Sequence, residues 1–256
     1  QEMLEDVDAV YVASRVSKRY EDIKKAVEYK KHVISESPIS LELKEVETLF
    51  TLAKENKVVL FDSIKTAYSL PFSRLVLLVK TGIIGNIKAI DVTSTSLEYI
   101  DWIKKTKYYS SFTGWGSIAL LPILKILGTN YKKLDYFTLD SQDMKDIYTK
   151  VNIEYGDALA TLNVGIGVKS EGDLRISGTN GYIYVPSPWW KSEYFEVRFE
   201  DPKDNKPHYY NNEGEGLRME LVHFVRCANN KEDNFYVEKE ISIEIVKVME
   251  GFMKME

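Results

Sequence analysis

The strongest constraint on the fold is an alternation in the first quarter of the chain. Residues 7–14, "VDAVYVAS", form a short β-branched and apolar run bounded by acids, which reads as a buried parallel strand. In 17–30, "SKRYEDIKKAVEYK", Tyr20, Ile23, Ala26 and Val27 recur at helical spacing, with Ser17 placed to cap the helix. "KHVISES" is a second strand, "SLELKEVETLFTLAKEN" a second helix capped by Ser40, and "KVVLFDSI" a third strand. Strand, helix, strand, helix, strand in this order predicts right-handed crossovers and a parallel sheet.

After Pro71 the pattern changes. "PFSRLVLLVKTG" predicts a helix ending at Gly82, "IGNIKAIDVTSTSLEYI" alternates as a strand, and a largely apolar stretch runs from Gly114 to Gly128. Strand-like segments follow in 133–199, with "TNGY" as a hairpin signal, and two helical stretches, "GLRMELVHFVRCANN" and "ISIEIVKVMEGFMKM", close the chain. The fold class expected is therefore α/β. The C-terminal part of a Rossmann-type parallel sheet occupies 1–68, and an α+β domain with an open, mainly antiparallel sheet occupies 69–256.

Composition narrows the function classes. A net charge of −5 from 34 basic and 39 acidic residues gives no positive field suited to a phosphate backbone, so nucleic acid is not expected as a partner. One cysteine, Cys227, and three histidines leave no internal disulfide and no zinc-type ligand set, so no metal is expected and a reducing cytoplasm fits. The longest apolar stretches fall short of the ~20 residues of a membrane helix, so no membrane is expected either. The chain begins at Gln1 without Met, and residues preceding it are expected to be missing.

The quoted segments, with "LLVKTGIIGNIKAIDV", "GWGSIALLPILKILG" and "RISGTNGYIYV", occur in an order and spacing that resembles the Gfo/Idh/MocA family, the group of glucose-fructose oxidoreductase and inositol dehydrogenase. The resemblance implies a dinucleotide-binding domain followed by a domain whose open sheet carries an oligomer interface, here a homo-oligomer. It implies NAD or NADP as cofactor and a sugar-like small molecule as ligand. By that pattern the chain starts at about the fourth strand. It contains no G-x-G-x-x-G, so cofactor binding would require a segment ahead of Gln1 to supply the phosphate site.

The resemblance also points to positions. Ser14 and Arg15, with Val16, stand where the family's Thr-Pro-Asn turn meets the cofactor, and Glu36, Ser37 and Pro38 stand where it has Glu-Lys-Pro. Ser37 thus replaces the usual catalytic Lys, Leu120 the Asp and Leu124 the His or Tyr, while Arg19 replaces a frequent His. A neutral hydroxyl cannot supply the charge that such a Lys gives to a reacting alcohol. Two readings stay open: an oxidoreductase of sugars, cyclitols or sugar-nucleotide-like polyols with altered catalysis, and a non-catalytic ligand-binding or interaction module of the same fold.

Lys65 and Tyr68, following the third strand at i and i+3, could be a relocated proton-transfer pair, or else a solvated Lys and a half-buried Tyr. Trp115 and Tyr109 could line a substrate pocket, with Asp101, Trp102 and Tyr108 at its entrance, or Trp115 could be a core aromatic, and Gly114 and Gly116 would let a helix approach closely. Of the adjacent Trp189 and Trp190, strand alternation would turn at least one outward to an oligomer contact, with a two-sided core as the alternative. His32 is expected to be structural, and His208, His223 and Cys227 are assigned no role.

Overall fold

Three strands, β1 (Ala9–Val12), β2 (His32–Glu36) and β3 (Leu60–Ser63), pair in parallel in that order. They belong to a computed structural model that describes residues 2–97, 109–140, 145–211, 213–230 and 236–255. After a single short turn α1 (Glu2–Glu5), helices α2 (Val16–Glu28) and α3 (Leu43–Asn56) make the two crossovers. The strand period sends Val10, Val12, Val33 and Leu60 to one face, where they pack on Ile23 and Val27 of α2 and Val46 and Leu49 of α3. Tyr11, Glu36, Phe61 and Ser63 fall on the opposite face by the same period.

Both helix starts differ from the expected caps. The residue preceding α2 is Arg15, extended at φ −57° and ψ 143°, and Ser17 lies inside the first turn. The cap of α3 is Glu42. Ser40 acts two residues earlier, its hydroxyl accepting from the Glu42 backbone N–H at 3.0 Å and donating to Glu45 at 2.5 Å. A Ser two residues ahead of a cap still organises the turn through local side-chain bonds, which a capping rule keyed to one position overlooks.

A 3-10 turn at Lys65–Tyr68 ends this run, and the chain then enters a second unit, Ser69–Gly216. In it α4 (Leu70–Lys80), β4 (Ile87–Ser96) and α5 (Ser111–Leu127) precede seven strands: β5 (Lys133–Leu139), β6 (Tyr148–Glu154), β7 (Leu159–Ile166), β8 (Leu174–Gly178), β9 (Tyr182–Val185), β10 (Tyr194–Arg198) and β11 (Lys206–Tyr209). They form one open sheet in the order β11-β10-β9-β8-β4-β7-β6-β5, antiparallel throughout except for the parallel β4–β7 pair. The β8–β9 hairpin closes where "TNGY" predicts it, Gly178 N–H donating to Gly181 O at 2.9 Å. Gly178 is required there, since a Cβ would stand 2.1 Å from the Ile84 carbonyl oxygen.

Trp189 and Trp190 correct the outward expectation. They lie on a 3-10 turn, Trp189–Lys191, rather than a strand, so alternation does not apply, and both are buried. Trp189 donates its indole N–H to Ser94 Oγ at 3.2 Å, and Trp190 packs on Trp115 with ring centroids 4.8 Å apart.

The last two helices, α6 (Leu217–Asn230) and α7 (Lys239–Met253), return to the first unit, which is Gln1–Tyr68 with Leu217–Glu256. This differs from a second domain running unbroken through 69–256. Val246 of α7 joins the Val33 and Leu49 core, and Leu43 N–H donates to Glu250 at 3.3 Å. On the other sheet face, Phe224 of α6 meets Phe61 edge-on at 5.2 Å. Without these helices the three-stranded sheet would lack one of its apolar covers.

Candidate functional site at the carboxyl ends of β1, β2 and β3

The last residues of the three parallel strands bring together an unusual density of polar groups. On the α6 face, Tyr11 donates its phenol proton to Glu36 Oε1 at 2.6 Å, and Ser63 Oγ donates to Glu220 Oε2 of α6 at 2.9 Å. The nearby Ser63 hydroxyl opposes the rise in the proton affinity of the Tyr11 phenol. Tyr11 is half exposed at the outer end of this group, whereas Glu220 is 0 % exposed and its Oε1 has no partner.

On the opposite face lies a second group. Asp62 is fully buried, with the hydroxyls of Ser37 and Ser242 and the charge of Arg19 around it, but neither of its oxygens makes a hydrogen bond of good geometry. Arg19 fastens the two turns above the sheet, its Nε donating to the Ser14 carbonyl at 2.9 Å and its Nη1 to the Pro38 carbonyl at 2.8 Å. The arginine at a position the resemblance gives to His therefore ties Ser14 to Pro38.

Burial dominates the electrostatics. It pushes Glu220 up to about 8 against the pull of Ser63, with the negative charges of Asp62 and Glu36 adding to the rise and Lys65 opposing it. It pushes Asp62 up to about 6. Tyr11 rises to about 12 through burial and its bond to Glu36. Arg19 moves down through burial, opposed by Glu36 and Asp62.

The residues singled out from sequence distribute unevenly. Ser14, Arg15, Glu36, Ser37 and Pro38 all lie at the ends of β1 and β2, and Lys65 is half buried on the 3-10 turn after β3. Tyr68 is buried among Phe61, His223 and Tyr236, centroids 6.0, 5.9 and 5.1 Å away, and its hydroxyl titrates far above its ordinary value through burial and Glu220. In the second unit, Trp115, Tyr109 and Ile147 each pack against Ile166, and a Cβ on Gly114 would fall 3.0 Å from the Tyr109 hydroxyl oxygen. Leu120 and Leu124 are buried on α5. Asp101, Trp102 and Tyr108 lie outside the described residues.

His32 is structural, its Nδ1 accepting from the Val59 N–H at 3.0 Å, and His208 stacks on Phe195 with ring centroids 4.8 Å apart. Among the described residues no three His, Cys, Asp or Glu side chains form a metal-ligand group, and no helix is long and apolar enough to cross a membrane.

Sequence reasoning misses Glu220 and Tyr11. A signal for Glu220 exists, because Glu220, Phe224 and Cys227 recur at i, i+4 and i+7, which puts the carboxylate on the buried stripe of α6.

At the same strand ends Ser14 Oγ is buried without a hydrogen-bond partner. That free hydroxyl, beside exposed Arg15 and half-buried Glu36 and Ser37, fits the polar edge of a nicotinamide nucleoside; no residue of the chain forms a Gly-rich phosphate turn.

Comparison with known proteins agrees with this geometry. Residues 1–63 match the model of the "Oxidoreductase family, NAD-binding Rossmann fold", that of Gfo/Idh/MocA proteins. The chain is 34% identical over 95 residues to myo-inositol 2-dehydrogenase of Thermotoga maritima, covering 36% of this chain and 28% of that protein. It is 41% identical over 61 residues to the uncharacterized oxidoreductase YgjR of Escherichia coli, covering 24% of this chain and 19% of that one. The matched stretches thus span less than a third of these relatives. In fold it is similar to KijD10, a 3-ketoreductase of Actinomadura kijaniata solved with NADP and TDP-benzene, at a TM-score of 0.83 and 17% identity over 98% of this chain and 79% of that one. The family match covers residues 1–63, so the parallel sheet resembles the NAD-binding domain of Gfo/Idh/MocA oxidoreductases, and the likeness along almost the whole length is one of fold.

Proposed function

We propose that the chain is part of an NAD(P)-dependent oxidoreductase acting on a hydroxyl or ketone of a sugar, cyclitol or sugar-nucleotide-like polyol. The observation that carries this reading is the polar group at the carboxyl ends of β1, β2 and β3, inside the stretch that matches the NAD-binding family. Open α/β sheets bind ligands at that end. Ser14 and Arg15 would meet the cofactor after β1, and Glu36, Ser37 and Pro38 would form the turn after β2. The cofactor, when bound, supplies or accepts a hydride. The side chains of this chain would orient the reacting carbon and move the proton at its oxygen.

Ser37 does not replace a Lys in that role, so the proton must travel by other groups. Lys65, half buried and acting on Glu220, remains a proton carrier in this proposal; Tyr68, enclosed by rings, is the weaker of the two. Trp115 and Tyr109 are proposed as the substrate wall of the second unit. Its open sheet exposes Phe137, Leu139 and Leu159, the last 60 % exposed, which favours a homo-oligomer through that sheet. The single buried Cys227 is in keeping with a cytoplasmic setting. The second reading, a module that binds without turnover, is favoured by the absence of ionisable side chains at Ser37, Leu120 and Leu124.

The test is a calorimetric titration of the natural protein, including whatever precedes Gln1, with NAD+, NADH, NADP+ and NADPH. Binding of at least one in the micromolar range is expected. No binding of any of the four would overturn the oxidoreductase reading; binding without turnover in a polyol screen would favour the module.

A further inference from the structure

We propose that Arg19 is a positioning residue for the ligand of the parallel sheet: its guanidinium clamps the turn after β1 to the turn after β2, and the two turns bind a nicotinamide cofactor as one rigid rim. The cofactor's identity rests on the oxidoreductase reading; the clamp rests on the geometry of the first unit.

Arg19 is the fourth residue of α2, which opens at Val16. Long helical side chains lean toward the N-terminus of their helix, which carries this one back over the turn the chain has just left. There Nε donates to the Ser14 carbonyl at 2.9 Å and Nη1 donates to the Pro38 carbonyl at 2.8 Å, the acceptors lying 5 and 19 residues away in sequence. One planar group with donors in a fixed fork thus holds two separate turns at a set spacing.

Strand pairing does not do this. The paired register of β1 with β2 ends at Val12 and Ser35, short of both Ser14 and Pro38. Carbonyls beyond a ladder need donors from elsewhere, and here a single side chain supplies one to each turn. A guanidinium keeps its proton at any working pH, so the clamp does not switch off. Burial lowers the proton affinity of Arg19, and the charges of Glu36 and Asp62 oppose that fall.

The clamped turns carry the residues proposed to meet the cofactor, Ser14 and Arg15 on one side and Glu36, Ser37 and Pro38 on the other. Arg19 holds both turns by their backbone and leaves these side chains to a ligand. Ser14 shows the effect most directly. Its carbonyl is held by Arg19, while its buried Oγ has no hydrogen-bond partner, so the clamp fixes the direction of a hydroxyl open to a ligand. Arg19 acts through Ser14 and Pro38 and does not itself touch the cofactor.

The test uses the natural full-length protein. Arg19→Met keeps most of the apolar stem and removes both donors. Amide exchange should quicken in the two turns together, at Ser14 to Val16 and at Ser37 and Ile39, while β3 keeps its protection. The dissociation constant of whichever of NAD+, NADH, NADP+ and NADPH binds the unaltered protein should rise roughly 10-fold or more, and where turnover is measured the cofactor KM should rise with kcat little changed. Arg19→Lys keeps the charge but carries its donors on one nitrogen, and should recover only part of the affinity. Unchanged exchange in either turn, or unaltered affinity in folded Arg19→Met, overturns the clamp. Full affinity in Arg19→Lys also overturns it, by assigning the effect to charge alone. Where circular dichroism shows Arg19→Met unfolded, Arg19→Gln carries the same comparison. Turns that loosen together in a protein that binds none of the four nucleotides would leave the clamp standing and remove the oxidoreductase reading; nucleotide binding indifferent to Arg19 would do the reverse.

Discussion

Glu220 and Asp62 make the stability of this protein depend on pH in a direction opposite to that of most surface carboxylates. A salt-bridged surface acid binds protons less tightly when folded and stabilises the native state as pH rises. Glu220 instead holds its proton to about 8 against an ordinary value of 4.5, and Asp62 to about 6 against 3.8. Between each pair of values the unfolded chain has released a proton that the folded chain keeps, so stability declines as pH rises through that window and is flat above it. Asp62 acts up to about pH 6, and from there to about pH 8 Glu220 acts alone of the two. The unfolding free energy of the natural protein, read from denaturant titrations, should therefore fall across that upper interval, by on the order of 2 kcal/mol, and Glu220→Gln should remove the fall. Parallel profiles for the two proteins would show that Glu220 titrates as an ordinary acid.

At the scale of the element, α5 shows both what the sequence displays and what it hides. Its apolar run is visible from Gly114 onward, yet the helix starts at Ser111, where Ser110 and Thr113 make reciprocal bonds as a capping box. A Thr at the third position is a weaker signal than Glu or Gln, and the start is correspondingly hard to read. The sequence does show that Leu120 and Leu124 cannot titrate, but not that both are packed inside the second unit. Restoring an acid there by Leu120→Asp should bury a carboxyl without a partner and destabilise the protein by several kcal/mol, about 3 or more. Ser37→Lys, at a half-buried turn, should leave the unfolding free energy within about 1 kcal/mol. Comparable midpoints for the two variants would mean that Leu120 faces solvent. The strands β1, β2 and β3 were legible because β-branched runs need only local pattern. The Trp189–Lys191 turn was not, because two adjacent aromatics carry no period that separates a strand from a 3-10 turn. The Glu220 site was hidden for a related reason: its partner Ser63 is 157 residues away.

The same long-range closure governs the whole molecule. The first unit is discontinuous, and the chain leaves it after Tyr68 and re-enters at Leu217. No local signal marks that return, because α6 and α7 read as ordinary amphipathic helices and only their packing on Phe61, Leu43 and Val33 assigns them to the parallel sheet. A physical consequence can be measured. A fragment of residues 1–68 keeps α2 and α3 on one face of its sheet but exposes the Phe61 face, and it loses the buried Val246 from the other. Small domains bury too little surface to tolerate such losses. Expressed alone, 1–68 should show no cooperative thermal transition and little amide-exchange protection in β1, β2 and β3. Joined to 217–256 by a short flexible linker in place of the second unit, it should recover a single transition, and protection should return first in β2, the central strand. Cooperative unfolding of 1–68 by itself would mean that α6 and α7 are accessory, and that the enclosure of Glu220 beneath α6 arises after the sheet is already stable.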